Sequence, residues 1–210
     1  MDFKYFNKNI SKLINEPIGG MAAQLKLAPT FRKEFRSKLK QNTKAKKAAV
    51  LALFYPNETA DTHFLLTLRA SYNGTHSAQI SFPGGKYEKN DTLLKNTALR
   101  ETQEEVGIEI NDVTVFKELT NVYIPPSNFV VTPFMATINY KPIFVKNNEV
   151  DQLISVSLKD FLVKSAISKT TLSTSYAKNI EVPCFKLNNY IIWGATAMIL
   201  SEMRELLKII

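Results

Sequence analysis

The stretch SFPGGKYEKNDTLLKNTALRETQEEVGI, Ser81 to Ile108, decides how this chain is read. It opens on paired glycines, Gly84 and Gly85, and closes on RETQEE, where Arg100 precedes Glu101, Glu104 and Glu105. From about Leu93 to Val106 the pattern is helical. At about 100° per residue, Glu104 falls about 60° to one side of Glu101 and Glu105 about 40° to the other. The three carboxylates therefore share one narrow face. Leu99, Thr102 and Val106 lie roughly opposite, where a sheet can cover them. Like charges this close repel on a helix unless something positive sits among them. Hard divalent cations take oxygen ligands, and Mg2+ commonly bridges carboxylates to substrate phosphates. A bare pair of glutamates would read as a solvated face. This cluster comes with Arg100 and with two glycines, which permit close backbone approach to a ligand and leave a carbonyl available as a further one.

The 210 residues fit one domain with an appendage, or two small domains. A hydrophobic fraction of 45% is enough to build a core. One cysteine, Cys184, rules out an intrachain disulfide and agrees with a reducing compartment. The start, MDFKYFNKNI, has no long apolar stretch, and AAVLALFY is too short to span a bilayer. The expectation is a soluble, cytoplasmic protein with no membrane partner. The net charge of +8 is uneven: residues 1–47 hold 12 Lys or Arg against 3 Asp or Glu, and the remainder 15 against 16. A basic arm of this kind attracts phosphate or presents a solvated surface. It lacks the interleaved aromatics of a single-strand binder, so nucleic acid is not the expected partner.

Phe3, Phe6, Ile10, Leu13 and Ile14 recur at helical spacing, and EPIGG breaks the pattern. Strands are expected at AAVLALFY, THFLLTLR, QISF, Val113–Leu119, Val130–Ile138, Leu153–Val156 and YIIW, with a closing helix over GATAMILSEMRELLKI. Strands interspersed with helices make an α/β (α+β) domain. The division is residues 1–47, a basic helical arm packed on or leading into the domain, and residues 48–210, the domain proper.

Gly85 together with RETQEEVGI resembles the Nudix box, the signature of hydrolases of nucleoside diphosphates linked to another moiety. The general box reads Gly, five residues, Glu, seven residues, then Arg-Glu, an apolar residue, any residue, Glu-Glu, any residue, Gly and an apolar residue. Two positions depart from it: Asp91 replaces the first Glu, with eight residues before Arg100, and Thr102 takes the apolar place. Upstream, LLTLRASYNGTHSAQISFPGG is similar to the signature of the coenzyme A pyrophosphatase branch at Leu65, Leu66, Thr67, Arg69, Ala70 and Phe82 to Gly85. Gly74 stands where that branch has a second arginine, and Ala78 where it has glycine. Similarity extends over YIPPSNFVVTPFMATI, NNEVDQLISVSL, IIWGATAMIL and EPIGGMAAQLKLAP.

The resemblance implies the Nudix fold, a mixed β-sheet sandwiched between helices. It implies a metal-dependent pyrophosphohydrolase that uses Mg2+ or Mn2+ and cleaves coenzyme A or an acyl-coenzyme A. The products would be adenosine 3′,5′-bisphosphate and 4′-phosphopantetheine or its acyl form. Glu101, Glu104 and Glu105 would hold metal, with the Gly85 carbonyl a weaker candidate. Arg100 would orient a glutamate or serve as a structural ion pair. The general base would be a box glutamate or a glutamate in a later loop, here Glu149. For substrate, Arg69 can contact phosphate or pair with a carboxylate, and His76 lies in the loop that follows. Tyr123 and Phe129 flank IPPSN, where an aromatic ring can stack on adenine or anchor the loop. Another ADP-linked diphosphate such as ADP-ribose is the alternative substrate. A nucleic-acid binder with a vestigial Nudix domain is the alternative of another class, and the intact RETQEE argues against it. A homodimer stays open.

Overall fold

The computed structural model describes residues 1–30, 45–70, 79–174 and 177–210. Its largest element is a mixed sheet. Strand β1 (Lys46–Pro56) lies at the centre, flanked by β2 (Thr62–Arg69) and β7 (Phe129–Thr137). β1 and β7 run parallel, with Lys46 opposite Phe129 and Phe54 opposite Thr137. β3 (Ile80–Ser81) and β8 (Val150–Ser157) pair with β2, while β5 (Thr114–Glu118) and β6 (Val122–Ile124) pair with β7. The last sheet member is β4 (Gly84–Lys86), antiparallel to the start of β1. The paired glycines thus form part of a strand. Their ladder with Ala49 and Val50 supplies a partner that no local sequence signal shows.

β1 changes neighbours along its length. Phe54 to Pro56 pair with β2, and Ala48 to Val50 pair with β4. Side chains alternate across a strand. Ala49, Leu51 and Leu53 therefore pack on one face, with Leu65, Phe134 and Ala136, against helix α4 (Leu94–Val106). Ala52 and Phe54 pack on the other, with Phe64, Met135 and the closing helix α6 (Gly194–Leu207). The sheet is sandwiched between helices.

The expected N-terminal helix is two short ones, α1 (Phe3–Lys8) and α2 (Ile10–Asn15), because Asn9 leaves helical geometry at ψ 2°. The Asp2 carboxylate caps α1 by accepting the Tyr5 N–H at 2.9 Å. Phe3, Phe6 and Leu13 are buried in the α6-side core. Full burial of one such side chain contributes about 1.5–3 kcal/mol, enough to hold a short helix that would not persist alone. A third short helix, α3 (Gly20–Leu25), follows EPIGG and packs on α6. Helix α5 (Leu158–Leu162), strand β6 and the hairpin of β9 (Ile167–Thr174) and β10 (Ala177–Leu187) were not legible in the sequence. In ISKTTLST and AKNIEVPCFKL, polar residues and Pro183 blur the alternation. β11 (Tyr190–Ile192) completes a second, three-stranded sheet on β10. Most of the basic stretch between Arg32 and Lys47 lies outside the described residues. Among those described, no helix is long and apolar enough to cross a membrane.

Candidate active site

The site forms where β1 exchanges β2 for β4, with α4 laid across the gap. The two glycines are bare for different reasons: Gly84 lies against the backbone of β1, and Gly85 against a glutamate of α4. Gly84 has φ +147°, and a Cβ on it would overlap the Ala49 carbonyl. Its N–H donates to Glu105 Oε2 at 3.0 Å. A Cβ on Gly85 would run into the Glu101 carboxylate. Close approach, read from sequence as access for a ligand, is first of all access for the β1 backbone at Gly84 and for the Glu101 side chain at Gly85.

The carboxylates are graded in exposure. The Glu105 side chain is 4% exposed, Glu101 17% and Glu104 53%. Glu105 thus lies on the packing side of α4 rather than on a solvated acidic face. Burial pushes its carboxyl up to about 7, opposed by the Gly84 N–H and by Arg69, and assisted by the charges of Glu101 and Glu149. Burial also raises Glu101, with Arg100 opposing.

Arg100 is the hub. Its Nε and Nη2 donate to the two oxygens of Asp91 at 2.9 and 3.2 Å. Nη2 also reaches Glu101 at 3.0 Å and the Lys86 carbonyl at 3.1 Å, and Nη1 reaches Glu104 at 3.0 Å. Asp91 is buried and accepts from the Glu88 N–H at 2.8 Å and from Thr97 Oγ1 at 2.9 Å. The Arg100 bond, more than any other contact, holds the Asp91 carboxyl down at about 2. Asp91, which departs from the general box, is therefore the latch that fixes Arg100 and ties the β4 segment to α4. The fork geometry suits a guanidinium.

Arg69, at the end of β2, enters from the other side. Nη1 lies 3.7 Å from Glu105 Oε1, and Nη2 3.2 Å from Glu149 Oε2. Its Nε is buried without a protein partner among the described residues. Glu149 is brought in by the chain that follows α4. The Asn147 N–H donates to the Glu105 carbonyl at 3.1 Å, and the Ala70 N–H donates to the Glu149 carbonyl at 2.9 Å.

Other expected residues divide. Alternate residues of an antiparallel ladder face the partner strand. The bonds from Leu51 N–H to Pro83 O and from Tyr87 N–H to Lys47 O put Gly85, midway between them, on that side. Its carbonyl therefore faces β1 rather than the glutamates. Tyr123 is opposite Val130, on the α4 face, and its hydroxyl lies 3.1 Å from Asn128 Oδ1. Phe129 is opposite Lys46, on the α6 face, with the Lys46 ammonium 5.7 Å from its ring centre. The two aromatics cannot line one side of a single base pocket. His76, Gly74 and Ala78 lie outside the described residues.

Among the described residues, no three carboxylate, imidazole or thiolate groups converge on one ion-sized position. Arg100 sits between Glu101 and Glu104, and Arg69 between Glu105 and Glu149, so guanidinium groups occupy the bays. The donor chemistry nevertheless fits a hard divalent ion. The donors are carboxylate oxygens, and the charges of Glu101, Glu104 and Glu149 reach one another or Glu105 strongly enough to raise the acids they face. Glu104 is half exposed and bonded to Arg100.

A mixed sheet between helices, with an acidic helix set against a glycine strand, defines a hydrolase of the Nudix type. Residues 45–174 match the family model of the NUDIX domain. The chain belongs to the Nudix family and is a Nudix hydrolase. It is 33% identical over 149 residues to the mouse mitochondrial coenzyme A diphosphatase NUDT8, covering 68% of this chain and 70% of that one. It is 32% identical over 146 residues to the Nudix hydrolase NudL of Yersinia pestis, covering 69% and 72%. Among solved structures, the Nudix hydrolase RenU of M. smegmatis superimposes with a TM-score of 0.56 at 19% identity, covering 79% of this chain and 88% of that one, a likeness of fold.

Proposed function

We propose that this enzyme is a diphosphatase that hydrolyses coenzyme A or its acyl derivatives to adenosine 3′,5′-bisphosphate and 4′-phosphopantetheine or its acyl form. The observation that carries the reading is the meeting of two signatures in one site. Arg69, from the coenzyme A branch motif, stands 3.7 Å from Glu105 of the box. The similarity to a relative described as a coenzyme A diphosphatase points the same way.

Glu101, Glu104 and Glu105 would hold Mg2+ or Mn2+, which supplies charge neutralisation at the diphosphate and lowers the pKa of water. Arg100, fixed by Asp91, pairs with Glu101 and Glu104 and sets their orientation on α4. Arg69 balances the charges of Glu105 and Glu149 through its Nη1 and Nη2 groups. Glu149, at the solvent edge, takes the proton of the attacking water on its carboxylate.

The test is a hydrolysis screen over coenzyme A, ADP-ribose, dinucleotides and nucleoside triphosphates with Mg2+, Mn2+ or excess chelator. Coenzyme A should be the best substrate, and chelator should abolish turnover. Glu104→Gln and Glu105→Gln should each lower kcat by roughly a thousandfold with the fold retained. A clear preference for ADP-ribose would overturn the substrate assignment, and turnover in chelator would overturn the metal.

A further inference from the structure

We propose that Lys47 is the contact for the 3′-phosphate of the substrate's adenosine half, an assignment that rests on the coenzyme A reading above. That phosphate sits on the same ribose as the 5′ link to the diphosphate. Its partner must therefore lie within a side chain's reach of the α4 carboxylates, on their face of the sheet. Four cations are carried by strands at this end: Lys46, Lys47, Arg69 and Lys86. Arg69 is engaged by Glu105 and Glu149. Lys86 is opposite Ala48, and Lys46 is opposite Phe129, which puts both on the α6 face.

Lys47 alternates with these. It shares the α4 face with Ala49, Leu51 and Leu53, one pleat beyond the row in which Gly85 abuts Glu101. Its neighbours in its own row are Val130 on β7 and, beyond that, Tyr123 on β6. On the other side, Tyr87 prolongs β4 by its N–H bond to the Lys47 carbonyl at 3.0 Å. The row Tyr87, Lys47, Val130, Tyr123 offers two phenol rings about a lysine beside the carboxylates. Lys47 is exposed and makes no ion pair among the described residues. A free ammonium bordered by aromatic surface suits a phosphate on a nucleoside. Arg100, the other cation at the carboxylates, is committed to Asp91, Glu101 and Glu104.

Lys46 is a control supplied by the fold: the adjacent residue, the same charge, the opposite face. The experiment measures kcat/KM for coenzyme A and for dephospho-coenzyme A in wild type, Lys47→Ala, Lys47→Arg and Lys46→Ala. Wild type should prefer coenzyme A by about tenfold or more, the usual size of one charged contact. Lys47→Ala should bring the ratio near one, chiefly through KM. Lys47→Arg should restore most of it, and Lys46→Ala should keep the wild-type ratio. Matching melting temperatures would separate this from loss of fold. A wild-type preference that survives in Lys47→Ala overturns the proposal and leaves coenzyme A as substrate. The same loss in Lys46→Ala as in Lys47→Ala also overturns it, because the face would then not matter. A wild type that does not hydrolyse coenzyme A, or treats the two compounds alike, removes the coenzyme A reading and this proposal with it.

Discussion

Two buried glutamates, Glu105 on α4 and Glu202 on α6, have been given opposite surroundings. Glu202 is fully buried and meets four donors: the Gly20 N–H at 2.9 Å, Gln24 Nε2 at 2.9 Å, the Thr120 N–H at 3.2 Å and Thr120 Oγ1 at 2.6 Å. It staples α3 and the segment before β6 to α6. Glu105 has one backbone N–H at 3.0 Å and a looser arginine at 3.7 Å, with other carboxylates close by. A carboxylate with its lone pairs satisfied holds a fold together. One left short of partners is costly to keep charged and available to something that arrives.

Removing Glu202 should have the largest effect. Glu202→Ala leaves several buried donors unpaired, and a loss of about 4 kcal/mol in unfolding free energy is expected. Denaturant unfolding measures it. Turnover per folded molecule at low temperature should stay within about twofold of wild type. A loss below about 1 kcal/mol would show that the staple is not structural.

Glu105 should behave in the opposite sense. Its folded carboxyl, at about 7, lies above the ordinary value of 4.5. A raised pKa means the folded state holds the proton more tightly. The stability this contributes is full below about pH 4.5 and is lost as pH rises through 7. The metal-free protein should therefore lose up to about 3 kcal/mol from this group between pH 4.5 and pH 8. Glu105→Gln should flatten that part of the stability profile and melt higher than wild type at pH 8, while being nearly inactive. Parallel pH profiles for the two proteins would refute the assignment.

The smallest effect sharpens the role of the glycine strand. Gly85→Ala pushes aside only the end of the Glu101 side chain, so stability should fall by about 1 kcal/mol. Turnover should drop about tenfold, since Glu101 leaves its place beside Arg100. Equal activity in the alanine variant would mean that Glu101 does not need Gly85 bare.

Much of this was legible in order of locality. The bounds of α4 follow from spacing alone, since helical period is a local property, and the chemical character of RETQEE follows from residue type. The core strands were readable for the same reason. AAVLALFY and THFLLTLR are apolar enough to declare themselves, while the β9–β10 hairpin, with one face wet, is not. The tie between Asp91 and Arg100 was not legible, because its partner lies nine residues away through a turn whose geometry depends on β4.

The sequence by itself determined that one helix carries three carboxylates and an arginine behind two glycines, and that this pattern is a Nudix box. Only the tertiary structure decided which glutamate turns inward. A helical wheel fixes angles between side chains, but the sheet fixes where the wheel points, and here Glu105 meets the Gly84 N–H while Glu104 stays in water. The register of β1 against β4 and β7 likewise decided that Lys47 and Tyr123 share the face of the carboxylates and that Lys46 and Phe129 do not. A strand's two faces are identical in its own sequence until a neighbour covers one of them.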